Sequence, residues 1–218
     1  MKQRLIFALA CVVLFLTGCA TVPPKDYTEF RKHPPKSLLV LPPLNKTTEV
    51  IASYSLLTTT TRPLSEMGYY VVPVALADRY MKENGLPTPA EMHQVPPAKL
   101  NEIFGADAVL YITVEKYGSK YMVLASNTVV GASAKLVDAK TGITLWENKV
   151  DFVLAGNSGL INALVEQVVN KLVDQAHGAC YGASSMLFTT PNQGVLYGPH
   201  HPAAGNAPGQ ESGSAIVR

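Results

Sequence analysis

Three cysteines in 218 residues leave little thiol chemistry to work with. Cys11 and Cys19 lie near the amino end and Cys180 stands alone far downstream, so no internal disulfide framework is available. The single downstream thiol reads as a buried free cysteine or as half of a bridge to another chain, the first being the expectation. Charge of one sign is also lacking. Lysine and arginine total 18 against 16 acidic residues, and no like-charge run reaches five. A basic arm, an acidic tail and nucleic-acid binding are therefore not expected. The sequence has no phosphate-cradling glycine loop, no Cys-x-x-Cys, no His-Glu-x-x-His and no Gly-x-Ser-x-Gly. Its longest early apolar stretch, Leu5 to Leu16, has 12 residues, too short for a spanning helix of about 20.

What is present at the amino end is informative. Lys2 and Arg4 precede that apolar stretch, and Leu16-Thr17-Gly18-Cys19 follows it. Charge, apolar run and small residues in this order describe a secretory signal. The Leu-Thr-Gly-Cys run resembles a bacterial lipobox, which is cut between Gly18 and Cys19 after lipid is attached to the cysteine sulfur. The expected mature chain starts at Cys19, with the acyl chains (palmitate among them) that bacterial lipoproteins resemble one another in carrying. One acyl chain anchors weakly and several hold firmly, because each buried CH₂ contributes about 0.8 kcal/mol. Ala20 follows the cysteine, where Asp would retain an enteric-type lipoprotein in the inner membrane. The expected location is thus the outer membrane, with the domain facing the periplasm. Loss of Lys2 and Arg4 brings basic and acidic side chains level at 16 each.

Composition then divides the chain into a signal peptide (1–18), a tether (19–36), an α/β domain (37–178), an irregular extension (179–193) and a disordered Gly/Pro-rich tail (194–218). The Pro-Pro pairs at 23–24 and 34–35 favour an extended spacer. Ser37 to Leu41 reads as a strand buried on both faces. A helix runs from the polar turn at Asn45–Thr48 to about Met67, although Pro63 weakens it. A strand over Tyr69–Val74, a helix over Ala75–Asn84 and a helix over Ala98–Phe104 follow, with prolines 87, 89, 96 and 97 breaking the chain between the last two. Three strands come next, in an antiparallel meander: Asp107–Tyr117, Tyr121–Val137 and Ile143–Leu154, with turns at Gly118–Lys120 and Asp138–Gly142. The middle strand is long enough to bend near Gly131. Gly159–His177 has the widest apolar stripe of any helix and should cover one sheet face. The fold class is α/β, a mixed sheet of about five strands in the order β-α-β-α-α-β-β-β-α, with the first two strands parallel, an amphipathic C-terminal helix and a flexible tail.

Several of these residues carry a family resemblance. Leu38-Leu39-Val40-Leu41-Pro42-Pro43 with Asn45, and Gly68-Tyr69-Tyr70-Val71-Val72, resemble the opening of the curli-secretion-channel lipoproteins. Gly105-Ala106-Asp107 is similar to the entry of their third strand. Leu136-Val137-Asp138 through Thr141-Gly142 to Trp146 resembles their hairpin. Over roughly 19–190 the chain is more similar to a smaller family of bacterial lipoproteins of unknown function, whose type member is a meningococcal surface-antigen candidate. The resemblance implies a partner of the curli-channel-like lipoprotein kind and a tendency to assemble, including with itself. No separate amphipathic segment suits a membrane barrel, so a pore is not expected.

The remaining chemical candidates have plain structural readings. Gly156-Asn157-Ser158-Gly159 reads as a helix entry. His177, Cys180, His200 and His201 match no metal-binding spacing, and no metal or cofactor is expected. Asp107, Asp138 and Asp151 read as strand-end carboxylates. Tyr69, Tyr70, Tyr111, Tyr117 and Tyr121 read as core or sheet-edge residues. With no catalytic constellation expected, two functions remain: a protein-interaction component in envelope assembly or secretion, or a small-ligand or peptidoglycan-binding module that could regulate a peptidoglycan synthase. The stretch Pro87–Pro97 and the hairpin ends are the expected contact surfaces.

Overall fold

The structure, a computed structural model, describes residues 23–122, 125–155 and 175–209. The chain runs α1 (Thr28–Lys32), β1 (Ser37–Val40), β2 (Leu44–Asn45), α2 (Ala52–Glu66), β3 (Tyr70–Val71), α3 (Val74–Glu83), α4 (Pro89–Met92), α5 (Pro97–Phe104), β4 (Ala108–Met122), β5 (Ala125–Asp138), β6 (Thr144–Ala155) and α6 (Gln175–Thr189). The sheet order is β3-β1-β4-β5-β6, with β2 added alongside β4. β1 pairs in parallel with both β3 and β4, while β4, β5 and β6 are antiparallel. This is the mixed α/β sheet expected from the sequence.

The sheet is covered unequally. On one face Leu38, Val40, Leu110, Ile112, Val114, Ala132 and Leu136 pack beneath α2 and α6. On the other, Leu39, Leu41 and Val109 pack beneath α3, α4 and α5 through Met81, Met92 and Leu100. That second cover stops at β4. Burial of about 25 cal/mol per Å² of apolar area holds the covered parts together, and the rest of the second face must be polar to stay wet.

Two bulges adjust which side chains reach which face. Val114 pairs with Ala132 and Lys116 with Gly131, so Glu115 is an extra residue. An extra residue in one strand puts two consecutive side chains on one side. Glu115 and Lys116 therefore share the wet face, and Tyr117 returns to the covered one, its hydroxyl donating to Ser55 Oγ on α2 at 3.1 Å. Leu136 pairs with Trp146 and Val137 with Thr144, which lets Leu145 and Trp146 both enter the core.

Four expectations need correction. First, β4 does not turn at Gly118–Lys120. Gly118 takes φ +116° inside the strand, which continues to Met122, paired with Ala125. Cross-strand pairing with Val129 overrides the local turn signal. Second, residues 179–193 are not an irregular extension: α6, described from Gln175, passes through Gly178 and Gly182 to Thr189. Glycine costs a helix about 1 kcal/mol relative to alanine. Burial of Ala179, Cys180, Ala183, Leu187 and Phe188 offsets it, and a Cβ on Gly182 would lie 2.3 Å from the Phe152 ring. Residues 156–174, with most of the expected helix and the 156–159 glycine loop, lie outside the described residues.

Third, residues 23–36 are not a free spacer. Tyr27 and Phe30 are buried, and the Tyr27 hydroxyl donates to Gly194 O at 2.6 Å. Fourth, residues 194–209 are not an unattached tail. Val195, Leu196 and Ala207 enter the core, and Gly198 N–H and His200 N–H donate to Met67 O and Gly68 O. Sparse apolar residues suffice because helix-end carbonyls supply the backbone partners. Residues 1–22, with Gly18 and Cys19, and residues 210–218 lie outside the described residues.

Candidate functional site

The uncovered part of the second face forms an open concavity of about 800 Å³. Its floor is built in rows by the strand register. Tyr111, Lys135 and Glu147 form one row and Thr113, Ser133 and Lys149 the next, and beyond its edge on the same sheet face lies a third row of Lys116, Gly131 and Asp151. Alternation along a strand puts every second side chain on the same face, so these rows follow directly from the pairing. The wall is the stretch His93–Pro97 between α4 and α5. There, Thr88 and Glu91 form a reciprocal capping box with Pro89 in the first turn, which orders a segment that its prolines alone would leave as loop.

Lys135, Glu147 and Lys149 line the concavity, and two ion pairs lie beside it on the same face. Lys116 Nζ lies 2.7 Å from Asp151 Oδ2, and Lys46 Nζ lies 3.4 Å from Glu115 Oε1. Burial tends to raise the Glu115 pKa, but the Ser133 hydroxyl at 3.1 Å and the Lys46 ammonium outweigh it, and the net shift is downward. A carboxylate held below its usual range is a poor proton acceptor, so the Ser133–Glu115 pair is not a primed nucleophile and base. Lys135 lies over the Tyr111 ring at 6.0 Å. His93 packs edge-on to the same ring, its Nε2 2.9 Å from Pro42 O. Burial lowers the His93 pKa, only partly opposed by that carbonyl. The surface is suited to holding a polar partner by charge and hydrogen bonds.

The other candidates are placed as follows. Asp107 accepts from Lys36 N–H, Ser37 N–H and Ser37 Oγ. Asp138 Oδ1 accepts from Lys140 N–H and from the amide and hydroxyl of Thr141, and Gly142 closes the turn at φ +75°. Asp151 is not at a strand end but within β6. Tyr69 is buried, Tyr70 is exposed on the edge strand, and the side chain of Tyr121 is outside the described residues. Cys180 is buried on α6, whereas His201 stacks on Tyr197 at 3.8 Å in the C-terminal segment, so the structure does not gather the four residues His177, Cys180, His200 and His201. Among the described residues no group of three or more His, Cys, Asp or Glu could hold a metal ion, and no helix is long and apolar enough to cross a membrane.

Sequence reasoning missed the open face, because Val109 and Tyr111 on one side and Leu110, Ile112 and Val114 on the other make β4 look apolar throughout. The signal was in the neighbouring strands, where Ser133 and Lys135 alternate with Ala132, Ala134 and Leu136, and Lys149 and Asp151 flank Val150.

Comparison with known proteins fits this architecture. The chain is 42% identical over 207 residues to the lipoprotein NMB1124/NMB1162 of Neisseria meningitidis serogroup B, covering 90% of this chain and 96% of that one. The crystal structure of lipoprotein GNA1162 from Neisseria meningitidis is 45% identical, with a TM-score of 0.54, covering 64% of this chain and 99% of that chain. A dodecamer of PelC from Paraburkholderia phytofirmans is more remote, at 19% identity and a TM-score of 0.41, over 73% of this chain and 89% of that one. A family profile described as "Putative lipoprotein GNA1162-like" matches residues 25–200. The chain belongs to the GNA1162-like lipoprotein family.

Proposed function

We propose that this is an outer-membrane lipoprotein, lipidated on Cys19 and facing the periplasm. Its domain acts as a non-catalytic interaction component in envelope assembly or secretion, with a second lipoprotein of the curli-channel-like kind as partner. The observation that supports this reading is the half-covered sheet. Two rows of side chains from β4, β5 and β6, Tyr111, Lys135 and Glu147 with Thr113, Ser133 and Lys149, stay open beside a wall fixed by the capping box of α4. Lys135, Lys149 and Glu147 line this concavity, and Glu115 and Asp151 on the same face are paired with lysines, an arrangement suited to electrostatic recognition of a protein surface.

Pulldown of the full-length protein from detergent-solubilised envelopes tests the reading. Recovery of another lipoprotein in fixed stoichiometry is expected, with loss of that partner when Lys135 and Lys149 are both changed to glutamate. Recovery of glycan fragments or a peptidoglycan synthase instead would replace this function with a peptidoglycan-linked one.

A further inference from the structure

β6 is the outer strand of the sheet, and the amino-terminal segment covers only its start. Lys25 and Asp26 lie against Thr144–Glu147, and Lys25 Nζ donates to Glu147 O. That carbonyl is turned away from β5. Antiparallel alternation turns the N–H and C=O of Lys149, Asp151 and Val153 the same way. None of these groups has a hydrogen-bond partner on that side among the described residues. An unpaired edge of this kind is a template for another strand.

The side chains along the edge alternate in sign. Glu147, Lys149 and Asp151 stand on the open face, since every second residue of a strand shares a side. Lys149 takes part in no ion pair among the described residues. Asp151 pairs with Lys116 at 2.7 Å, yet its side chain stays 46% exposed and open to a second ammonium. On the covered face, Val150 and Phe152 are apolar, and the Phe152 ring lies against Gly182 of α6. Met186, one turn beyond Gly182 on the same helix face, is 43% exposed.

We infer that a second copy of this chain pairs with the free edge of β6, antiparallel and centred on Val150, so that two sheets become one. The charges select this register. With Val150 opposite Val150 of the second copy, Lys149 of each chain stands opposite Asp151 of the other, and their outward N–H and C=O groups bond to one another. A shift that sets Lys149 opposite Lys149, or Asp151 opposite Asp151, puts like charges across the strands, which is destabilising. Two-fold symmetry makes the favourable pair occur twice. The axis stands perpendicular to the sheet, so both open faces look the same way, and Met186 of each α6 is brought toward the other helix. This pairing is independent of the lipid anchor and of any partner on the open face.

The test is disulfide trapping of the full-length protein in washed membranes. Directly opposed residues of a non-hydrogen-bonded antiparallel pair have Cα atoms about 4.5 Å apart, within the span of a disulfide. Val150→Cys should therefore link into a product of twice the chain's mass, at several times the yield of the parent, whose Cys180 is buried. Lys149→Cys and Asp151→Cys should each link poorly alone and efficiently when co-expressed, a result that leaves the buried Val150 untouched. Lys149→Glu and Asp151→Lys, each added to Val150→Cys, should lower the yield several-fold, and co-expression of these two charge variants should restore it. Equal linking at 149, 150 and 151 alone, no linking above the parent, or no recovery on co-expression would overturn the inference. A linked product of any other mass would put a strand of a different protein on this edge and overturn it too.

Discussion

Gly68 and Gly198 lie in backbone contact: a Cβ added to Gly198 would sit 2.6 Å from the Gly68 carbonyl oxygen. Gly68 takes φ +87° after α2, and its own Cβ would meet the His201 nitrogen at 2.4 Å. The pair fastens the C-terminal segment onto the end of α2 through Gly198 N–H to Met67 O at 2.8 Å. Gly198→Ala should destabilise the fold by about 1–3 kcal/mol, the usual cost of overpacking, because the two nearest opposing atoms, the Gly68 carbonyl oxygen and carbon, are backbone. Denaturant titration of the purified variant measures this, and an unchanged midpoint would contradict it.

Asp138 organises the hairpin between β5 and β6. Burial tends to raise its pKa, but the Thr141 hydroxyl and amide outweigh that and lower it overall. A carboxylate whose folded pKa lies below its unfolded value adds stability above the unfolded value, about 3.9, and loses it as pH falls through the folded one. Asp138→Asn should therefore be less stable at pH 7 and show a shallower acid decline than the parent. Thermal melts from pH 7 to pH 2 would show whether the two curves converge.

His93 makes the opposite kind of statement about pH. Its folded pKa is lowered by burial, so the unfolded chain takes up the proton more readily. The neutral ring favours folding above the ordinary value of about 6.5, and stability falls as pH drops through the lower folded value. His93→Gln should lose that part of the pH dependence. It should also cost roughly 1 kcal/mol if the bond to Pro42 O is broken. Parallel pH dependence in parent and variant would count against this account.

Cys19→Ala is expected to abolish labelling by radioactive palmitate and leave an unprocessed precursor. Labelling at the parent level would remove the lipid assignment.

Local signals made the Asp138–Gly142 turn readable from sequence, since Asp138, Thr141 and Gly142 bond within six residues. The αL glycine at 105 after α5 was equally readable. Gly118 misled because its partner, Val129, lies across the sheet, and the pairing depends on tertiary context. The C-terminal segment was hidden by its average composition. Val195, Leu196, Ala207 and Pro208 are buried there among exposed neighbours, and mean apolarity does not register a few well-placed residues. The open face was hidden for a related reason. Alternation on β5 and β6 marks a wet side, but how far α3, α4 and α5 extend across the sheet is a property of packing.

The extra residue at Glu115 is absorbed by the bulge, so the phase beyond it is kept. Were it deleted, Lys116 would follow Val114 directly against Gly131 and Ala132, and alternation alone would hold Lys116 on the wet face and Tyr117 over Ser55. Ser133 and Lys46 would instead lose the carboxylate they share. The insertion thus serves the open side of the sheet, and the core beneath is indifferent to its removal.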